Sequence, residues 1–468
     1  MPSVTKRLAK RKGANALSEK YYYLSYYLLV RNKALRYPLF RKYLLARFAI
    51  ILALNMQSTI VSYFVYKLTF NPLTKKGDAL VLGLMGLWEV IPAVTFSLFS
   101  GHFVDLREKK QMVVQCMLGY LLLTVFFGWL AWPGLQHSIS THYIIWLIYF
   151  GVFVGGALRA FLSPATFALM GMLIPKKLYA TATPWSSASW QAGFVIGPLL
   201  GGFMIVAAGY QGSQVCAGVI ELIALAAAML IPAQIIHQKT KEPILKSITG
   251  GIKFVFSTQI LLAALSLDMF AVLFGGAVAL LPVYANEILR IGEVGFGWMR
   301  AAPGIGSILM LVFISAIPIQ KQPGVKLAIA IAGFGVTTVI FGLCGQLADT
   351  TILGSVLGCN ISWAFLLGFF MLLLGGMFDA VSVVIRGTIL QLYTPDSMRG
   401  RVAAVNTMFI SSSNELGAME SGLTARWWGT VPAVVIGGFL TLVVVGVTYF
   451  AAPLLRVVKL EPPEDKES

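Results

Sequence analysis

Apolar residues in this chain come in long uninterrupted blocks, not in the alternating or one-sided patterns of soluble strands and helices. The stretch from Val113 to Trp132 holds no charged residue. A helix needs about 20 mostly apolar residues to cross the hydrocarbon of a bilayer. The pattern predicts twelve such segments, at about 43–69, 79–102, 112–132, 142–174, 179–208, 214–233, 257–289, 294–318, 325–347, 360–392, 397–426 and 430–455. The polar stretch from Pro232 to Phe256 is the longest gap between them. It divides the chain into a first six-helix bundle (43–233), a linker (234–256) and a second bundle (257–456). A basic, tyrosine-rich segment (1–42) precedes them and a short tail (457–468) follows. Strands of a membrane barrel would alternate every second residue, and these runs do not. The expected fold class is all-α and integral to a membrane.

Composition narrows this further. By length alone, 468 residues would suggest about three soluble domains. The chain is 57% hydrophobic and 12% charged, with a mean hydropathy of +0.79. Soluble chains carry about a quarter charged residues, so little of this one is left for a domain outside the bilayer. Lysine and arginine resist translocation and so set orientation. With the N-terminus inside, 27 of the 36 fall on the inner side, five lie within spans, and only Lys75, Lys76, Arg290 and Arg426 face out. Both termini are therefore expected in the cytoplasm, as an even number of spans requires. The net charge of +17 is spread along this inner rim rather than gathered in one patch. That distribution suits anionic lipid and gives no reason to invoke nucleic acid. Lys6, Arg7, Lys10, Arg11 and Lys12, followed by Tyr21–Tyr23 and Tyr26–Tyr27, suit an interfacial anchor, with a solvated basic tail as the alternative.

The four cysteines, Cys116, Cys216, Cys344 and Cys359, are widely spaced, as are the four histidines. Neither set has the spacing of a zinc site or a disulfide framework. No phosphate-binding Gly-x-x-x-x-Gly-Lys-Ser/Thr loop is found, so energy is expected from a gradient rather than from ATP. No metal or cofactor is called for.

Two motifs carry more information. After the second span the chain reads Gly101-His102-Phe103-Val104-Asp105-Leu106-Arg107-Glu108-Lys109-Lys110, a glycine for close approach, an acid at the membrane boundary and a basic run. In span 5, Gly193, Gly197 and Gly201 fall at i, i+4 and i+8, with Pro198 and Gly202 beside them. The glycines make a stripe without side chains on which another helix can pack, and the proline favours a bend. These strings resemble, respectively, the loop signature and the antiporter signature of the major facilitator superfamily. Leu106, Glu108 and Lys109 depart from the first. Phe274 to Ala285, Arg300-Ala301-Ala302-Pro303, Thr394 to Val402 and Asn414 to Gly422 resemble the bacterial subfamily containing the enterobactin exporter. The resemblance runs from about Leu35 to Ala451. It implies two pseudo-symmetric six-helix bundles, export in exchange for protons, and a gating role for Gly101, Asp105 and Arg107. The internal echo of Ser187–Gly193 in Ser411–Gly417, 224 residues apart, fits such a duplication.

Ionisable groups at membrane depth are costly and mark a pathway by default. Arg47, Glu89, Arg159, Glu221, Asp268, Asp379, Arg386, Glu415 and Glu420 are such groups. Arg47 and Glu221 are expected to snorkel or pair near an interface. In the resembling family spans 1, 4, 7 and 10 line the cavity, which would place Arg159, Asp268, Asp379 and Arg386 around one vestibule. Asp268, Asp379 and Glu415 are the candidate proton carriers. Arg159 and Arg386 are the candidate contacts for an anionic or catecholate-like cargo, with Trp190 as an aromatic wall and Glu420 as a further polar contact. The static alternative is that an acid such as Asp379 or Glu420 only neutralises an arginine and holds helices together. The overall expectation is a monomeric, proton-coupled exporter of a siderophore-like or amphipathic small molecule in a bacterial inner membrane, in contact with lipid. A multidrug exporter or lysolipid transporter is the alternative within the fold. A lipid enzyme would want clustered His/Asp or a Ser/His pair, which the scattered histidines do not offer.

Overall fold

A computed structural model describes residues 34–456, apart from 75, 176–177, 234–243, 318–321, 357–358 and 396–397. The proposed interfacial anchor (Lys6 to Tyr27) and the tail at 457–468 lie outside these residues. Helix starts carry their own chemical signals. Helix α1 (Pro38–Thr69) begins on a proline, whose missing N–H is no loss in a first turn. Asp78 caps α2 (Ala79–Leu106), its carboxylate accepting from the amides of Leu80 and Val81 at 3.0 and 3.4 Å. Glu108 caps α3 (Lys109–Leu130) through the amide of Gln111 at 3.0 Å. The Lys109 ammonium reaches back to the carbonyls of Val104 and Arg107, where the α2 dipole is negative. Helix α4 is Thr141–Leu173.

The helical run Tyr179–Met229 is two helices that meet at Gly209, where φ is 66° and ψ −176°. These are α5 (179–208) and α6 (210–229). In the second half, α7 is Gln259–Phe274, prolonged by short turns and a π-helical turn at Tyr284–Ile288. It is followed by α8 (Gly292–Ala316), α9 (Pro323–Gly342), α10 (Trp363–Leu392), α11 (Arg399–Trp428) and α12 (Thr430–Ala451). A small antiparallel hairpin, β1 (Gly354–Val356) on β2 (Cys359–Ile361), separates α9 from α10. Before it, the exposed Asp349 carboxylate accepts from the amide and hydroxyl of Thr351, which holds it below the usual carboxylate range. A helix at Ile244–Ser257 lies in the linker and packs on α11.

Ten helical stretches among the described residues are long and apolar enough to cross a membrane. One of them is the α5–α6 pair, which counts twice once divided at Gly209. The remaining crossing is α11, whose Ser411-Ser412-Ser413-Asn414-Glu415 run leaves it too polar for that measure. Twelve helices in two halves follow, as the residue pattern predicts. The first and last described residues and the linker helix share one face, with Lys42 donating to the Leu230 carbonyl at 3.2 Å; on the far face Gly77 meets Glu287 and Asn360 of the hairpin meets Arg290. The halves meet along α2 with α11 and α5 with α8. At the far face they share one apolar core, Met56, Ile60 and Tyr63 of α1 packing with Leu280, Tyr284 and Phe296 of the second half.

Candidate functional site at the seam between the halves

Short residues decide which charges can meet. A Cβ added at Gly86 of α2 would stand 2.7 Å from the Glu415 carbonyl and the Ala418 Cβ of α11, and Gly156 of α4 presses as closely on the Glu89 carbonyl. These approaches set three charged side chains within reach of one another near mid-depth. Arg159 of α4 places Nη1 2.5 Å from Glu89 Oε1 in its own half and 3.4 Å from Glu415 Oε1 in the other. Arg300 of α8 donates to the hydroxyls of Ser58 (2.7 Å) and Ser62 (3.2 Å) on α1 and interacts electrostatically with Glu89 and Glu415. Two cations and two acids drawn from both halves thus form one balanced cluster. The Arg159 side chain is 57% exposed even though its partners come from both halves. A guanidinium open to hydrocarbon would be prohibitively costly, so Arg159 faces a polar space between the halves.

The other sequence-predicted residues are distributed differently. Asp268 of α7 and Arg386 of α10 pair directly, both buried, and the Ser382 hydroxyl donates to Asp268 Oδ1 at 3.0 Å. This pair sits inside the second half, toward the termini face. That corrects the expectation of one vestibule holding Arg159, Asp268, Asp379 and Arg386. The physical reason is Ser382, one turn before Arg386, which completes a polar pocket across α7 and gives the pair no need of water. Asp379, two turns from Arg386 on α10, is half-buried and makes no ion pair among the described residues. Glu420 is half-buried, five residues beyond Glu415 and so on another side of α11. Trp190 stacks on Phe194 at 5.2 Å, beside the α5–α8 seam where the Gln191 amide donates to the Gly304 carbonyl at 3.2 Å.

The glycine string of α5 joins two surfaces. Gly193, Gly197 and Gly201 lie against Leu52, Asn55 and Met56 of α1, while the Pro198 carbonyl and Gly202 lie against Gly297 of α8 across the seam. Arg107 is exposed. The side chains of Gly101 and Asp105 lie outside the described residues. Arg47 forms no ion pair among the described residues; it donates to the Ser186 carbonyl at 3.2 Å and to the Tyr43 hydroxyl, one turn nearer the start of α1, at 3.5 Å. Sequence reasoning did not single out Arg300 as a site residue. The signal was Ser58 and Ser62, one turn apart on a single face of α1.

The sequence profile described as Major Facilitator Superfamily matches residues 43–371. The chain belongs to this superfamily. Among major facilitator proteins it is similar to the Enterobactin exporter EntS of Shigella boydii serotype 18 (strain CDC 3083-94 / BS512), 24% identical over 439 residues, which covers 92% of this chain and 95% of that one. The Enterobactin exporter EntS of Escherichia coli O81 (strain ED1a) is 23% identical over 438 residues, with the same coverage. The fold of this chain matches the crystal structure of a bacterial homolog to the human lysosomal transporter Spinster, in inward-facing and unoccupied conformation. The TM-score is 0.62 at 14% identity, covering 90% of this chain and 97% of that one. A POT family transporter in complex with 5-aminolevulinic acid gives 0.63 at 11% identity, covering 88% and 96%. This major facilitator chain is thus a multi-pass membrane protein of a transporter family.

Proposed function

We propose that this chain exports a siderophore-like or amphipathic small molecule from a bacterial cytoplasm in exchange for protons, by alternating access across the inner membrane with both termini inside. The observation that carries the reading is the Arg159–Glu415 contact, which joins the halves at mid-depth beside an exposed guanidinium. The relatives named as exporters of enterobactin support the direction and the cargo class.

The geometry supplies a logic for exchange. With both groups ionised, the bridge helps to hold the arrangement seen here. An anionic or catecholate-like cargo that takes the free N–H groups of Arg159 competes with Glu415 and loosens it. A proton on Glu415 removes one of the two charges and loosens the same bond. Each ligand therefore biases the equilibrium between the two arrangements through one contact. If the halves rock only when that contact is broken, cargo and proton take turns. Asp379, half-buried and without an ion-pair partner among the described residues, is the second proton carrier in this reading. Asp268, engaged with Arg386, serves the interior of its own bundle.

Proteoliposomes loaded with enterobactin as probe cargo test this. Glu415→Gln is expected to abolish transport driven by a pH gradient while leaving cargo exchange without a gradient. Coupling equal to that of the unaltered chain would remove Glu415 as the carrier.

A further inference from the structure

The first bundle contains a second acid that the seam does not use. Glu221 of α6 is 1% exposed, and neither of its carboxyl oxygens has a hydrogen-bond partner. It does not reach an interface, contrary to the expectation from sequence. Its neighbourhood is polar but uncharged. The Thr124 hydroxyl of α3 lies beside it and accepts from Gln57 Nε2 of α1 at 2.5 Å, which leaves the hydroxyl hydrogen to be donated elsewhere. Gln214, two turns earlier on α6, is also buried, and its Oε1 has no donor. Gln214 faces α3, since a Cβ at Gly128 would meet it at 3.5 Å, and so does Gly218, one turn before Glu221, where a Cβ would meet Thr124 at 3.5 Å. The titratable groups nearby are Tyr120, whose hydroxyl donates to the Gly155 carbonyl at 2.8 Å, and Cys116 one turn before it. No lysine or arginine among the described residues interacts with Glu221.

An ionised carboxylate in such a place would have no counter-charge and only the Thr124 hydroxyl to donate to it, at a cost far above that of the neutral acid. We infer that Glu221 is a proton-binding site in the interior of the first bundle, held as a neutral carboxylic acid that donates within the Thr124–Gln57–Gln214 cluster and accepts from Thr124. The second bundle handles its buried acid in the opposite way, by pairing Asp268 with Arg386. This site stands apart from the proposed exchange through Glu415, and the experiment below involves no transport.

Infrared spectra of the purified chain in lipid bilayers at neutral pH read the protonation directly. The difference between the unaltered chain and Glu221→Gln should show the loss of one protonated-carboxyl C=O band. Thr124→Val, with Glu221 intact, should shift that band by removing its hydrogen-bond donor. A difference spectrum without that loss overturns the inference, as does a carboxylate band lost in its place. Should Glu221→Gln fail to fold, the Thr124→Val spectrum decides alone: a shifted protonated-carboxyl band supports the site and an unshifted one removes it.

Discussion

At the scale of single residues, the partner of a buried acid decides what its removal costs. Asp268 is buried against Arg386 and Ser382. Removing one partner of a buried pair leaves an uncompensated charge and typically costs 3–5 kcal/mol, whereas replacing both with apolar residues is often neutral. Asp268→Asn should therefore lower the thermal unfolding temperature by a loss of about 3 kcal/mol, and Asp268→Leu combined with Arg386→Met should recover most of it. If Asp268→Asn instead left stability unchanged while removing proton coupling, Asp268 would return as a carrier. The sequence alone identified almost every charged residue at membrane depth, because charge in an apolar run is conspicuous. It did not show which charges meet. Arg159 finds Glu89 70 residues back and Glu415 256 residues ahead, and Arg300 finds serines on α1. Such partners depend on how five helices cross, which no local spacing encodes.

At the scale of elements, the two halves repeat a backbone device. The α5–α6 junction is one residue, Gly209 (φ 66°, ψ −176°), and the α11–α12 junction is Gly429 (φ 91°, ψ 162°). Both lie in a region essentially reserved for glycine. They fall in the same place in each half, close to the offset of the Ser187 and Ser411 strings. An added Cβ at Gly209 would meet nothing within 4 Å, so a substitution there perturbs the backbone alone. Gly209→Ala should cost about 1–3 kcal/mol, read as a lower unfolding temperature with helix content intact. A variant as stable as the parent would show that the junction relaxes to a negative φ. The element pattern was largely legible because long apolar runs have few alternatives in a bilayer. One boundary differs for a local reason: span 6 starts at 210 rather than about 214, because a glycine hairpin needs no polar loop to announce it. Helix α11 (Arg399–Trp428) falls where the residue pattern predicts a span, at 397–426, despite its serines, Asn414 and Glu415.

At the scale of the whole molecule, the run lengths reveal two halves but not which arrangement they adopt; that depends on contacts at the far face. There the Tyr63 hydroxyl donates to Asn286 Oδ1 at 2.5 Å, and the Gly77 amide donates to Glu287 Oε1 at 2.6 Å. Lys67 approaches Glu293 at 3.8 Å. Each bond joins the first half to the second above the shared apolar core, so the far face is shut while Arg159 remains exposed below. A hydrogen bond to a charged group contributes about 1.5–3 kcal/mol. Removing the Glu287 carboxylate should therefore favour opening of the far face by about 2 kcal/mol, roughly thirty-fold in the ratio of the two arrangements. The surface positions Leu73 and Ile352, one in each half, can carry spin labels for a distance measurement. In a background without other cysteines, Glu287→Ala should add a longer-distance population to the Leu73→Cys/Ile352→Cys pair. The new population should grow when the Lys67–Glu293 contact is also removed, because both bonds oppose the same rotation. A distribution that stays single and unshifted in both variants would mean that the apolar core alone keeps this face closed, and the polar latch would lose its assigned part in alternating access.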